Sequence, residues 1–85
     1  MKFQGAVIKE QGQTFAVVVI KKHILNSSYE SEKAINSFRP CFPGIPVTLM
    51  AQDSNGRAHY RGRQDIVNFL ANLHVSQIPW REYTV

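Results

Sequence analysis

The apolar positions of this chain fall into blocks, and the spacing within each block predicts the element it forms. Phe3 to Lys9 and Thr14 to His23 are rich in β-branched residues and are separated by the short polar segment Glu10-Gln11-Gly12-Gln13, the pattern of two strands joined as a hairpin. Within the second block, Phe15-Ala16-Val17-Val18-Val19-Ile20 has no polar interruption. A strand with one wet face alternates, so a continuous run predicts a strand covered on both faces and central in its sheet. Ser27, followed by Glu30 ahead of Ala34, Ile35 and Phe38, is a capping-box signature for a helix from about Ser28 to Phe38. Pro40 must end it, because proline disfavours helical geometry at the residue before it and has no N–H to donate. The following stretch, with Pro40, Pro43 and Pro46, reads as a stiff loop rather than an interdomain linker.

Val47 to Gln52 predicts a third strand and Arg57 to Arg61 a fourth, with Asp53-Ser54-Asn55-Gly56 as the turn between them. Gly62 breaks that strand. Ile66, Phe69, Leu70 and Leu73 then recur at i, i+3, i+4 and i+7, the stripe of a second helix with Asp65 in its first turn and His74 near its end. The tail holds Ile78, Trp80 and Tyr83, too apolar to stay in water, and is expected to fold back over the core without an assigned element. A helix between strands two and three implies a crossover joining parallel strands. The expected fold is therefore a single α+β domain over residues 1–85 in two layers. Its elements run β-β-α-β-β-α, with a four-stranded mixed sheet in the order 1-2-3-4 and both helices on one face.

Composition narrows the class without naming a role. With 85 residues the chain has room for one hydrophobic core, and 44% apolar against 19% charged residues is ordinary globular usage. Ten Lys and Arg against six Asp and Glu give a net charge of +4, compatible with a polyanionic partner but also within the range that keeps a small domain in solution. Cys41 is the only thiol, which excludes an intrachain disulfide, a two-cysteine redox motif and a cysteine-rich zinc site, and leads to an expected cytoplasmic location. The opening Met1-Lys2-Phe3-Gln4-Gly5-Ala6-Val7-Ile8-Lys9 has no apolar stretch of signal-peptide length. The Phe15–Ile20 run is far short of the roughly 20 residues a membrane-spanning helix needs.

Candidate chemistry is sparse. Cys41 sits between Pro40 and Phe42 with Arg39 as the sole nearby charge, so it reads as a buried thiol rather than a nucleophile. His23, His59 and His74 lie on different elements, each without a second ligand at metal-binding spacing, and no metal or cofactor is expected. A triad of Ser27 or Ser54 with His59 and Asp53 would lack both a nucleophile elbow and an oxyanion hole. The chain is thus expected not to be an enzyme. A cleft bringing two of Cys41, His23, His59, Asp53 and Asp65 within hydrogen-bond distance would overturn that expectation.

Arg57, His59 and Arg61 alternate and so share one face of the fourth strand, opposite Ala58 and Tyr60, with Arg63 just beyond Gly62. Such a stripe can grip phosphates while Tyr60 stacks a base, or it can guard a sheet edge against aggregation; the second reading is the simpler. Asn26-Ser27-Ser28 could hold an anion at a helix start, although capping is the simpler explanation. Phe42, Pro46, Trp80 and Tyr83 are the candidate surface for a protein partner. These features lead first to a non-catalytic protein-interaction module, with a nucleic-acid-binding domain as the alternative.

From Gly44 onward, Ile45-Pro46-Val47 opens a strand, Asn55-Gly56 turns it, and Gly62 precedes a helix ending Asn68-Phe69-Leu70-Ala71-Asn72-Leu73. This arrangement resembles the closing half of a thioredoxin-like fold, over at most Phe15 to Leu73. The resemblance implies a cis Pro46 bordering a substrate groove. Where thioredoxin-like enzymes carry their cysteines this chain has Asn26-Ser27-Ser28, so the resemblance implies a groove without dithiol chemistry. With Phe38-Arg39-Pro40, Pro43-Gly44-Ile45-Pro46-Val47, Gly62-Arg63-Gln64-Asp65-Ile66-Val67 and Ile78-Pro79-Trp80, the chain is also similar to small uncharacterised bacterial proteins, a family with no activity to transfer.

Overall fold

A computed structural model describes residues 2–10 and 12–84; Met1, Gln11 and Val85, and with Gln11 part of the first expected turn, lie outside the described residues. Strand β1 (Lys2–Glu10) pairs antiparallel with β2 (Gln13–Val19), from Gly5 opposite Val18 to Glu10 opposite Gln13. A short helix α1 (Lys22–Leu25) leads into α2 (Ser28–Phe38) and a 3-10 turn over Arg39–Cys41. Strand β3 (Val47–Gln52) then runs parallel to β2, with Ala16 opposite Val47, as the crossover requires. Strand β4 (Ala58–Arg61) returns antiparallel to β3, followed by α3 (Gln64–Ala71), a 3-10 turn over Val75–Gln77 and β5 (Arg81–Thr84).

The fold is α+β with a mixed sheet, but the sheet has five strands in the order β4-β3-β2-β1-β5, not the expected four. The extra strand is the tail, which pairs antiparallel with β1 from Lys2 opposite Thr84 to Gly5 opposite Arg81. Trp80 Nε1 donates to the carbonyl of Val75 at 3.1 Å, which fixes the bend that brings the tail to that edge.

The helices do not share a face. Ala16, Val18, Val47, Leu49 and Ala51 point to one side, where Leu25 of α1 and Ala34, Ile35 and Phe38 of α2 cover them. Phe15, Val17 and Met50 point to the other, under Ile66, Phe69 and Leu70 of α3. The expectation of two layers fails for a reason already present in β2, whose unbroken apolar run needs cover on both sides. The second expected strand also ends earlier than His23. It ends at Val19, and α1 begins at Lys22 instead, which places Leu25 in the core.

Ser27 caps α2 by accepting from the Glu30 N–H at 3.2 Å, satisfying a backbone donor that the first helical turn leaves without a partner. Gly5 marks a close approach: a Cβ there would lie 2.9 Å from the Val17 carbonyl oxygen and 3.4 Å from the Tyr83 ring. The bare backbone lets Phe3 and Tyr83 stack across it, with ring centroids 5.2 Å apart. No peptide bond among the described residues is cis, so the bond before Pro46 is trans and the thioredoxin-like groove loses its main support. No helix among the described residues is long and apolar enough to cross a membrane.

Candidate docking groove at the β4 edge

Strand β4 ends the sheet, and one hydrogen bond fixes which way its backbone faces. The Asp53 N–H donates to the Arg57 carbonyl at 3.0 Å, which makes Asp53 and Arg57 a hydrogen-bonded antiparallel pair. Alternation along the ladder then turns the backbones of His59 and Arg61 toward β3, and those of Ala58 and Tyr60 away from it. The bond from Ile20 N–H to Met50 O at 2.8 Å agrees, because it points Met50, opposite Tyr60, toward β2. The outward N–H and C=O groups of Ala58 and Tyr60 thus form an open template for another strand.

The later part of that edge, His59 to Gly62, lines a groove of about 370 Å³. Lys22 and Leu25 of α1 with Asn26 just after it form one wall and Gln64 and Val67 of α3 the other, because the two helices sit on opposite faces of the sheet. Its cations are Lys22 and Arg61, beside the His59 imidazole, and no carboxylate lines the groove among the described residues.

The expected basic stripe is present in register but not as an open face. Arg57, His59 and Arg61 lie on the α2 side, opposite or in line with Ala51 and Leu49, and Tyr60 lies on the α3 side. Arg61 is half-buried; its Nε donates to the Leu25 carbonyl at 2.9 Å and its Nη1 reaches Ser28 Oγ at 3.5 Å, so it ties β4 to the α1–α2 junction. Arg63 clasps Asp65 through Nε at 3.1 Å and Nη2 at 2.6 Å, which raises the arginine pKa and lowers that of the carboxyl. Tyr60 is half-buried with its hydroxyl enclosed and its pKa raised by desolvation, so its ring is not offered to a base.

His59 Nε2 lies 2.9 Å from Asp53 Oδ2. The other Asp53 oxygen accepts from the N–H groups of Asn55 at 2.9 Å and Arg57 at 3.0 Å, an Asx turn closing the β3–β4 hairpin. The His59 hydrogen bond is the largest cause holding the Asp53 pKa at about 2, with the Arg57 and Asn55 N–H groups adding to it. Half of the condition set for overturning the non-catalytic expectation is therefore met. The other half is not, since Asp53 is absent from the lining of the groove that His59 enters. Of the serines in the triad that the sequence argued against, Ser54 sits exposed in the turn and Ser27 caps α2.

The expected partner surface is largely internal. Phe42 is buried and meets Phe3 and Tyr83 edge-on at centroid distances of 6.2 and 5.3 Å. Trp80 and Tyr83 are half-buried against opposite sides of the sheet. Pro46 is half-buried, with its carbonyl accepting from Ala16 N–H at 2.9 Å. Cys41 packs against the first core without a charged neighbour in hydrogen-bond contact among the described residues, and no group of three or more metal-ligating side chains occurs among them. Sequence reasoning missed Lys22, Leu25, Asn26 and Val67 as groove residues; only the Phe15–Ile20 run, which demands cover on both faces, hinted that helices would flank the edge.

Compared with protein-family models, curated proteins and solved structures, the chain has no significant match.

Proposed function

We propose that the protein is a non-catalytic interaction module that receives an extended, acidic segment of a partner protein as an added strand along β4. The carrying observation is the outward backbone of Ala58 and Tyr60 on the free edge of β4, with Tyr60 lining a groove between α1 and α3. Backbone pairing supplies affinity in this mode and the flanking side chains supply selectivity. Lys22 and Arg61 favour a segment carrying Asp or Glu over a second copy of this chain, which would bring its own Lys22 and Arg61 against them. The nucleic-acid reading has less behind it, because Tyr60 is half-buried against the other core and offers no ring for a base to stack on. The single cysteine supports a cytoplasmic location as part of this reading.

Selection from a displayed library of random twelve-residue peptides tests this reading. Enriched peptides should be acidic, and on titration should shift the amides of Ala58, Tyr60 and Gly62 first. Ala58→Pro removes an outward N–H at the first residue of β4 without breaking the ladder to β3, and should weaken peptide binding by more than about tenfold. Enrichment of basic or purely apolar peptides, self-association through β4, or peptide binding unaffected by Ala58→Pro would overturn it.

A further inference from the structure

Next to the groove, on the α2 side, lies a larger cleft of about 630 Å³ to which three separate segments each contribute an arginine. Arg39 comes from the end of α2, Arg61 from the end of β4, and Arg63 from the start of α3. Its apolar part is Ile35 on α2 with Ile45, Pro46 and Val47 at the entry to β3. Glu32 is the acidic group on its lining among the described residues, and Asp65 sits against Arg63.

The guanidinium groups are held unequally. Arg61 is oriented by the Leu25 carbonyl and Ser28 Oγ through Nε and Nη1, which leaves Nη2 without a hydrogen-bond partner among the described residues. Arg63 commits Nε and Nη2 to Asp65 and keeps Nη1. Arg39 is exposed at the rim. Counting Glu32 and Asp65 against the three arginines leaves one positive charge without an internal counterion. Planar guanidinium forks match planar or tetrahedral oxyanions, and an apolar wall beside them suits the carbon body that carries such a group.

We propose that this cleft binds a small ligand bearing one oxyanion, a carboxylate or a phosphate, on an apolar ring or chain. The site stands independently of strand addition at β4, although Arg61 and Gly62 border both. Isotope-labelled full chain titrated separately with phenyl phosphate, benzoate, inorganic phosphate and benzyl alcohol tests it by backbone amide shifts. Phenyl phosphate or benzoate should move the amides of Ser31, Val47, Gly62 and Arg63 saturably, and the tighter of the two identifies the anion as phosphate ester or carboxylate. Inorganic phosphate and benzyl alcohol should each bind at least about tenfold more weakly, lacking one half of the ligand. Arg39→Ala and Arg63→Ala should each weaken the better probe by about fivefold or more while thermal unfolding stays near that of the unaltered chain, since both side chains are exposed. Shifts scattered elsewhere, benzyl alcohol binding as well as benzoate, inorganic phosphate binding as well as phenyl phosphate, full affinity in both variants, or no saturation below about 10 mM of any probe would overturn the assignment.

Discussion

Strands β5 and β4 each end the sheet with four residues, and they are secured by different forces. At the β5 edge, Tyr83 stacks on Phe3 with their planes 12° apart, and Phe38 and Phe42 close around the same ring. The exposed Lys2–Glu82 pair at 3.7 Å adds little, as solvent-screened ion pairs generally do. At the β4 edge there is no such ring cluster. Instead Arg61 reaches across to α1, His59 pairs with Asp53, and the outward backbone of Ala58 and Tyr60 is left unpaired, Tyr60 beside a groove. One edge is closed over its inner face by buried aromatic surface, and no groove flanked by two helices runs along it among the described residues. The other is kept soluble by charge, which leaves its hydrogen-bonding groups open to a partner of the opposite charge.

Removing the ring at the centre of the closed edge should have the largest effect. Phe3→Ala takes away contacts with Phe38, Phe42 and Tyr83 together, and should cost about 3 to 4 kcal/mol in urea unfolding. For a domain of this size each kcal/mol lowers the melting temperature by roughly 4–8 °C. A loss below about 1 kcal/mol would mean that β5 is held by its backbone ladder and that the contrast between the edges is overstated.

Arg61→Leu attacks the open edge at its tie to α1. Its charge-assisted hydrogen bond to a carbonyl in a half-buried setting is worth about 2 kcal/mol, and losing it leaves the Leu25 carbonyl without this donor. Hydrogen exchange should quicken in α1 and β4 while β1 and β5 keep their protection. Equal loosening at both edges would show that Arg61 supports the domain as a whole.

Thr48→Val should act in the opposite direction. Thr48 lies beside β4 on the α3 side, fully buried, and its Oγ1 has no hydrogen-bond partner among the described residues. Replacing a buried unsatisfied hydroxyl by a methyl of similar volume should stabilise the fold by about 1 kcal/mol. A destabilised Thr48→Val would reveal that the hydroxyl has a partner, such as a buried water, and that the interior beneath the open edge is wetter than the interior beneath β5.

How much of this contrast was readable beforehand depends on the range over which each signal acts. The α2 span, its Ser27 cap, strand β3 and the Asp53 turn all follow from residues within a few positions of one another, and each was legible. The cover on both faces of β2 was legible too, in Phe15–Ile20, although assigning both helices to one face ignored it. Strand β5 was not, because Arg81-Glu82-Tyr83-Thr84 offers one aromatic at one position and its partner is β1 at the far end of the chain. The same limit hid the tie from Arg61 to Leu25, separated by 36 positions, and the arginine-lined cleft. Phe42 misled because loop composition says where a chain turns, not which side chains the turn folds inward.

The smallest predicted effect lies at the hairpin leading into the open edge, and pH isolates it. Asp53 is held at about 2, below its ordinary 3.8, by His59 first and then by the Arg57 and Asn55 N–H groups. A carboxyl whose folded pKa lies below its unfolded pKa binds protons more tightly when unfolded, so its contribution to stability is complete above the unfolded value. That contribution fades as pH falls from about 3.8 toward 2 and is gone once the folded carboxyl is protonated. Because the group is close to solvent, the effect should be modest and should shrink with added salt. Unfolding of the unaltered chain and of Asp53→Asn should differ most near neutral pH and converge on acidification through this window, whereas the lowered pKa of Asp65 titrates in both chains and cancels in the difference. A difference that holds constant from pH 6 to about 2 would mean that the Asx turn, which asparagine also makes, accounts for the role of Asp53. His59 would then be a bystander, and the charge at the open edge would rest on Lys22 and the arginines.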